Sequence, residues 1–322
     1  MKKPLPFDGM ISACSLIPLS RKSLVFKNLI VYRIAAGWAA TPATLEERLA
    51  SARFVPCGPS QEKSLGWVEP RGVAHGPLVE AVAGQLLLKM MVETRALPAS
   101  VVNRKTEERV AQIEASTGRK PGRKELRDLK DEIRQTLLPM AFTKLASNTV
   151  WIDREAGWLV IDAGSQSRAD EVVSALVAVL DGFAVTLLNT QQSPAAAMAQ
   201  WLMTQEPPPG FSVDRECELK AADESRAVVR YARHALDTEE VRQHVAAGKL
   251  PTRLALTWAD RVSLVLTESL QLKKLAFLEG VFEGTGEQRA DGFDADAAIA
   301  TGELRKLLPD LLEALGGELV AG

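Results

Sequence analysis

The sequence has little of what secreted, membrane-bound or disulfide-stabilised proteins usually contain. Only three of its 322 residues are cysteine, and they lie far apart without a C-x-x-C pair. This scarcity argues against a disulfide framework and favours a reducing cytoplasm as the compartment of the protein. No apolar run approaches the roughly 20 residues that span a bilayer, so we expect no membrane partner.

Motifs for nucleotide, cofactor and nucleophile chemistry are also lacking. The chain has no G-x-x-x-x-G-K-[ST] phosphate loop, no G-x-G-x-x-G after a strand and no G-x-S-x-G elbow. Its three histidines, His75, His234 and His244, are too scattered to indicate a metal site. We therefore expect neither a cofactor nor a bound metal, and a binding protein rather than an enzyme.

One acidic segment leaves an enzymatic alternative open. Asp214, Glu216, Glu218 and Lys220 alternate along the chain. Carboxylates beside a lysine are what a metal-dependent nuclease requires. The same pattern is typical of an exposed polar segment, and both interpretations stay open at this point.

One predicted helix concentrates cations on a single face. Arg123, Arg127, Lys130 and Arg134, here called the basic stripe, recur at spacings of four, three and four, which bring them to one side of an α-helix. Beside the basic stripe runs an apolar stripe of Leu126, Leu129, Ile133 and Leu137. The net charge of the chain is −2, so nucleic-acid binding requires local segregation of this kind. A solvated helix face is the plainer interpretation of the same spacing.

Two predicted helices interrupt a chain that is otherwise rich in strands. Gly118 ends the first, for which Ser100 is the predicted cap, and Pro121–Gly122 begins the second. The two helices therefore form a projecting hairpin over about residues 98–147. The patterns predict strands at 24–33, 85–93, 149–153, 158–162, 184–188, 227–234, 253–258, 262–267 and 272–277. They predict further helices at 44–52, 170–180, 195–203, 238–247 and from about 295.

These patterns divide the chain into regions, with the stiff Pro207–Pro208–Pro209 segment as one boundary. We predict a disordered extension over 1–23, a central region over 24–97 plus 148–205, a helical tip over 98–147 and a base region over 206–322. The fold class is α+β, with mixed sheets and helices.

Several short sequence segments, in the same order along the chain, resemble those of a known family. They are FKNLIVYR (26–33), FVPCG (54–58) with GWVEP (66–70), TGRKPGRKELRDLKDEI (117–133), LLPMAF (137–142), WIDREAGWLVIDAGS (151–165), KLPTRLALTW (249–258) and FDADAAIATGEL (293–304). The chain resembles the RdgC family of bacterial recombination-associated proteins from about residue 24 to its end.

The resemblance implies an architecture and a function. It implies a horseshoe-like subunit with a projecting helical hairpin, and a homodimer in which two subunits meet tip to tip and base to base and close a ring. Such rings bind double-stranded DNA, with single-stranded DNA as a further ligand, largely independently of sequence. They belong to the nucleoid in the cytoplasm, are associated with recombination and replication, restrain recombinase-driven strand exchange by competing for DNA, and have no expected catalytic activity.

The charge pattern and the resemblance together give a set of candidate DNA-contact residues. At the tip these are Arg119, Lys120, Arg123, Arg127, Lys130 and Arg134. In the base region Arg233 and His234 fall where the family has a basic–polar pair in the ring lining, and Arg230, Lys249 and Arg253 are further candidates. For each of them a solvated or salt-bridged position is the alternative.

Phe142 resembles a family phenylalanine near the tip-to-tip contact, and Leu137 and Leu138 accompany it as predicted dimer-interface residues. Aromatic anchors often dominate interfaces, although an aromatic after an apolar helix end is ordinarily part of a core. Three functions therefore remain to be compared: a DNA-binding ring, a metal-dependent nuclease, and a scaffold whose basic stripe binds an acidic protein partner.

Overall fold

The structure is a computed structural model that describes residues 26–282 and 292–319. The predicted extension, residues 1–23, lies outside the described residues. In the described part, twelve strands join one sheet and seven α-helices accompany it, which confirms the predicted α+β class. No helix within these ranges has the length and apolar character of a membrane span.

The elements follow one another in nearly the predicted order. The strands are β1 (Leu29–Ile34), β2 (Lys63–Val68), β3 (Glu80–Val82), β4 (Gln85–Ala96), β5 (Phe142–Asp153), β6 (Trp158–Asp162), β7 (Val185–Leu187), β8 (Phe211–Ala221), β9 (Val228–Ala232), β10 (Lys249–Trp258), β11 (Val262–Thr267) and β12 (Leu272–Phe277). The helices are α1 (Pro42–Ala50), α2 (Ala99–Thr117), α3 (Arg123–Leu137), α4 (Gln166–Val179), α5 (Pro194–Thr204), α6 (Glu239–Ala246) and α7 (Gly292–Ala314). A short 3-10 turn, Leu138–Met140, follows α3.

The ladders between these strands are antiparallel, and the sheet order is β2-β4-β5-β6-β1-β12-β11-β10-β8-β9. Strand β3 pairs with β4, and β7 pairs with β1. Strand β1 therefore joins an N-terminal half of the sheet to a C-terminal half, through the pair Leu29↔Leu272. The strands predicted at 253–258, 262–267 and 272–277 are confirmed, and as β10, β11 and β12 they form a meander of consecutive antiparallel pairs.

The first part of strand β4 is buried on both faces of the sheet. Leu86, Leu87 and Leu88 of β4 are all fully buried, with Leu87 in one hydrophobic core and its two neighbours in the other. Because successive strand residues point to opposite faces, an apolar run without alternation requires cover on both sides. The second core is completed by α1 and α4. The buried strand predicted at 85–93 is therefore confirmed.

The C-terminal half has one apolar and one polar face along β8, β9 and β10. Cys217, Leu219 and Leu254 belong to a core built with α5 and α7. Their strand neighbours Glu218 and Arg253 point to the opposite side. Helix α5, which precedes the three prolines, packs against β10, which follows them.

The helical hairpin lies between two paired strands. Strands β4 and β5 form a ladder as far as Ala96↔Phe142, and α2 and α3 continue from that end. Gly118 ends α2 in the left-handed conformation (φ 72°), as predicted, because glycine adopts it without a steric penalty. The prediction of Ser100 as the cap was wrong: α2 begins at Ala99, and the extended Pro98 holds the capping position.

Several strands differ from the predicted bounds, among them β1, which begins at Leu29 rather than at 24, and the differences are largest for β5 and β8. Strand β5 begins at Phe142 rather than at 149, because its exposed residues pair with β4 over their whole length. Strand β8 runs through the segment for which an exposed polar stretch was one interpretation. Cys217 and Leu219 fill the core from β8, while the intervening polar side chains lie on the other face.

Candidate nucleic-acid interface

Helix α3 presents most of the basic stripe to solvent. Arg123, Arg127 and Lys130 are exposed, and their side chains have no ion pair or hydrogen bond with any described residue. Helix α3 packs against α2, and within the apolar stripe Leu129 is 8% exposed whereas Leu126 is 37% exposed. Residues 99–137 contain ten Lys and Arg against seven Asp and Glu, a net charge of +3 in a chain of −2.

At the hairpin turn, Arg119 and Glu125 form a bidentate ion pair. Arg119 Nη1 and Nη2 each lie 2.8 Å from a carboxylate oxygen of Glu125, and the Gly122 N–H donates to the same carboxylate at 2.8 Å. The Arg119 hydrogen bond and then the Gly122 N–H hold the pKa of Glu125 at about 2. Lys120 Nζ lies 3.9 Å from Glu114. These two tip cations therefore shape the turn and are already neutralised by carboxylates.

Arg95 anchors the hairpin to the sheet. It donates to the backbone carbonyl of Gly58 at 3.2 Å and, across the hairpin root, to that of Leu138 at 3.4 Å. Arg134, the last cation of the basic stripe, lies 3.2 Å from Glu62 in the segment before β2. Arg134 therefore joins the hairpin to the rest of the chain, unlike the three unpaired cations nearer the tip.

Large apolar side chains are exposed where the hairpin joins the sheet. Met140 and Phe142, here called the apolar patch, are 70% and 88% exposed. Leu145 is 59% exposed, but it lies three residues beyond Phe142 on a regular ladder and therefore points to the opposite face of β5. The core interpretation of Phe142 is therefore wrong for the single chain, and exposed apolar groups of this kind mark contact sites. Leu137 is half-buried, whereas Leu138 is 3% exposed and is already covered within the subunit.

Arg230 and Arg253 come together on the polar face of β8, β9 and β10, here called the base face. Glu218 of β8 is the ladder partner of Arg253 on one side and of Arg230 on the other. Arg230 Nε donates to Glu218 Oε2 at 2.6 Å, and Thr252 Oγ1 donates to Oε1 at 2.8 Å. Burial acts to raise the pKa of Glu218, but the hydrogen bonds from Thr252 and Arg230 outweigh it and lower the pKa. Arg253 is exposed and makes no side-chain hydrogen bond with a described residue, but its charge also acts to lower the pKa of Glu218, with which it is paired in the ladder.

Arg233, His234 and Lys249 lie at the margin of the base face. Arg233 follows β9 with a φ of 56°, a conformation that non-glycine residues seldom adopt. Its exposed side chain has no partner in the ranges that the structure describes. His234 Nδ1 lies 2.7 Å from the Ala235 carbonyl, and Lys249 Nζ lies 3.0 Å from His244 Nδ1. The candidate DNA-contact residues therefore fall into two groups, one on the hairpin and one on the base face.

The acidic segment does not form a metal site among the described residues. No group of three or more His, Cys, Asp and Glu side chains there is placed to hold a metal ion. Its carboxylates meet neighbouring donors instead. Asp214 accepts from Thr257 Oγ1 at 2.9 Å, and Glu216 accepts from Lys274 Nζ at 2.6 and 2.9 Å. The nuclease alternative therefore gains no support from this geometry.

Lys274 is a base-face cation that the sequence analysis missed. It lies in β12 with a φ of 51°, beside a register shift against β11. Such a bulge re-aims a side chain, here toward Glu216. The available signal was the spacing of Leu272 and Leu275, which are both buried although they are three residues apart and so break the two-residue period of a regular strand.

A family model and several relatives match the chain over most of its length. Residues 24–318 match a family described as "Putative exonuclease, RdgC". A protein of Dechloromonas aromatica (strain RCB) is 47% identical over 301 residues, which cover 92% of this chain and 98% of the relative. A protein of Herminiimonas arsenicoxydans is 46% identical over 296 residues, with 91% and 98% coverage. One of Bordetella pertussis is 44% identical with the same coverage. Each of these relatives is named "Recombination-associated protein RdgC".

Proposed function

This chain belongs to the RdgC family, and from that premise we propose that it is a DNA-binding protein that takes part in recombination. Its ligand is double-stranded DNA, held through the phosphates and therefore without preference for sequence. Single-stranded DNA offers the same phosphate chemistry and is a further ligand. The name of the relatives supports the recombination role.

The observation that carries this proposal is the unpaired part of the basic stripe. Arg123, Arg127 and Lys130 repel one another at helical spacing, at a cost of about 0.2–0.5 kcal/mol for an i,i+4 pair. A polyanion that lies along the helix removes that cost. Seven residues of helix rise about 10 Å, which is about the rise of three phosphate steps of one DNA strand measured along the duplex axis. Three cations of this spacing therefore suit a phosphate backbone.

The base face supplies the second set of contacts. Arg233 is exposed without a side-chain partner among the described residues, and Arg253 is exposed beside Glu218. Arg230 extends from β9 on the same side as Arg253. Phosphate contacts from both sets explain how a chain of net charge −2 binds DNA, because its cations are segregated onto the surfaces that meet the duplex.

We further propose that two horseshoe-like subunits close a ring around the duplex. The apolar patch of Met140 and Phe142 is the tip-to-tip contact, because exposed side chains of this size gain most from burial against a second copy. The base regions form the other contact. A ring that occupies the duplex withholds it from a recombinase and so restrains strand exchange on the nucleoid. No catalytic step belongs to the proposal.

The test compares how firmly the protein is retained on circular and on linear DNA. The protein is loaded onto a nicked plasmid circle and onto the same plasmid linearised, both immobilised, and is then washed with rising salt. A ring stays on the circle at salt concentrations that strip the linear form, and cutting the circle releases it. Equal release from both forms would remove the ring from the proposal while leaving DNA binding intact.

Two other results distinguish the competing functions. Failure to bind any duplex at low salt, with the dimer intact in sedimentation, would favour a scaffold for an acidic protein partner. Shortening of the linear DNA after incubation with magnesium or manganese would restore the nuclease, and substitution of Asp214 and Glu218 would then have to abolish it.

A further inference from the structure

Two carboxylates of β8 hold two cations of the base face in ion pairs. Arg230 Nε lies 2.6 Å from Glu218 Oε2, and Lys274 Nζ lies 2.6 Å from Glu216 Oε1. Residues 216 and 218 stand two apart in a strand whose pairing with β9 is regular at this point, so both side chains emerge on the same side. Each carboxylate therefore faces the surface that is proposed to meet DNA.

Within each pair the carboxylate is the less exposed member. The side chain of Glu218 is 17% exposed against 74% for Arg230, and that of Glu216 is 43% exposed against 64% for Lys274. Glu218 is also fixed by the hydroxyl of Thr252. The carboxylates therefore stay in place while the longer basic side chains reach outward from them.

The pairing leaves the cations able to reach a phosphate but lowers their attraction for it. Arg230 donates to Glu218 through Nε alone among its described contacts, so its two Nη groups remain available. The carboxylate of each ion pair cancels most of the attraction that Arg230 or Lys274 would exert on a nearby phosphate. Hydrogen bonding lowers the pKa of Glu218 against the opposing effect of burial, and Glu218 is therefore ionised at neutral pH.

We propose that Glu216 and Glu218 are internal competitors of DNA phosphate that weaken and regulate DNA binding at the base face. The inference rests on the proposed function, because it assigns a regulation to that same surface. Phosphates must share or displace a carboxylate at Arg230 and Lys274, whereas Arg123, Arg127 and Lys130 on the hairpin have no such competitor in the described part of the chain. Weakened contacts on one side let the protein release the duplex and move along it.

The test is the double variant E216Q/E218Q, measured by fluorescence anisotropy with one labelled duplex over a salt series. Glutamine keeps the size of the side chain and its acceptor oxygen for Thr252 but removes the charge. We expect roughly three- to ten-fold tighter binding at low salt, because two surface ion pairs no longer compete with DNA. The plot of log affinity against log salt should steepen by up to about 1.8, or about 0.9 for each cation released.

The matched control is D181N/E239Q, which removes the same two charges from ion pairs with Arg48 and Arg242 elsewhere on the surface. It should change affinity less than two-fold. A companion variant, R230Q/K274Q, should weaken binding. Thermal unfolding confirms that each variant is folded.

The results separate this inference from the proposed function. If wild-type protein does not bind duplex at low salt, the proposed function fails. If it binds, but E216Q/E218Q binds equally or more weakly, or no more tightly than the control, the carboxylates are not competitors and the inference is overturned. Unchanged affinity in R230Q/K274Q would overturn it as well, because the cations would then not meet DNA.

Discussion

The hairpin and the base face carry their cations in opposite ways. On α3, three cations of the basic stripe have no partner among the described residues, and the helix buries little beyond Leu129. On the base face, Arg230 and Lys274 are ion-paired and emerge from strands whose other side fills a hydrophobic core. The comparison suggests a division of tasks: the hairpin supplies attraction for DNA, and the base face supplies contacts whose strength is set by neighbouring carboxylates.

The largest expected effect comes from reversing the unpaired cations. The variant R123E/R127E/K130E should bind duplex at least roughly ten-fold more weakly at low salt and lose about 2.7 from the salt slope, because three phosphate contacts disappear. Helix content should change little, since one set of like charges at i,i+4 replaces another. Anisotropy and circular dichroism measure the two quantities.

The matched control lies on the partner helix of the same hairpin. R104E/K105E/R109E makes the same change of charge at residues that contact Glu108 and Gln112. Its effect should be well below that of the α3 variant. Equal losses in the two variants would mean that only the total charge of the hairpin matters, and the comparison with the base face would lose its basis.

The next effect concerns the apolar patch. Phe142→Ser should raise the dissociation constant of the dimer at least roughly ten-fold, as expected for an interface anchor. Because Phe142 is 88% exposed, the free energy of unfolding of the monomer should change by less than about 0.5 kcal/mol. Sedimentation and denaturant titration give the two values, and Phe142→Leu should preserve the dimer. A dimer of unaltered affinity in the serine variant would take Phe142 out of the interface.

The smallest effect tests whether Arg119 belongs to the turn. With its pKa at about 2 against an ordinary value of 4.5, Glu125 stabilises the hairpin turn fully above pH 4.5 and loses that contribution as the pH falls toward 2. Nuclear magnetic resonance titration of the Glu125 carboxyl should give this low midpoint in the wild type and a higher one in Arg119→Gln. If Glu125 of the wild type titrates with an ordinary midpoint, Arg119 is not held by Glu125 and is again a candidate for DNA contact.

The hairpin was predictable because its signals are local. Gly118 and the Pro121–Gly122 pair bound the turn, and the two stripes at helical spacing fix which side of α3 meets α2 and which meets water. The buried strand β4 was predictable for a similar reason, since its continuous apolar run requires cover on both faces.

The base face was less predictable because its geometry depends on distant pairings. Strand β8 has many polar residues, and only its register with β9 and β10 shows that Cys217 points inward and Glu218 outward. The direction of Lys274 depends on a bulge. The sequence pattern alone left Phe142 between a core and an interface, because an apolar residue suits both, and only the family resemblance favoured the interface.

The most direct test of DNA binding is a titration of the wild-type protein with two duplexes of equal length and unrelated sequence across a range of salt concentrations. We expect the same affinity for both duplexes and a linear fall of log affinity with log salt, since the proposed contacts are made to phosphates. A strong preference for one sequence, or an affinity that does not change with salt, would contradict it.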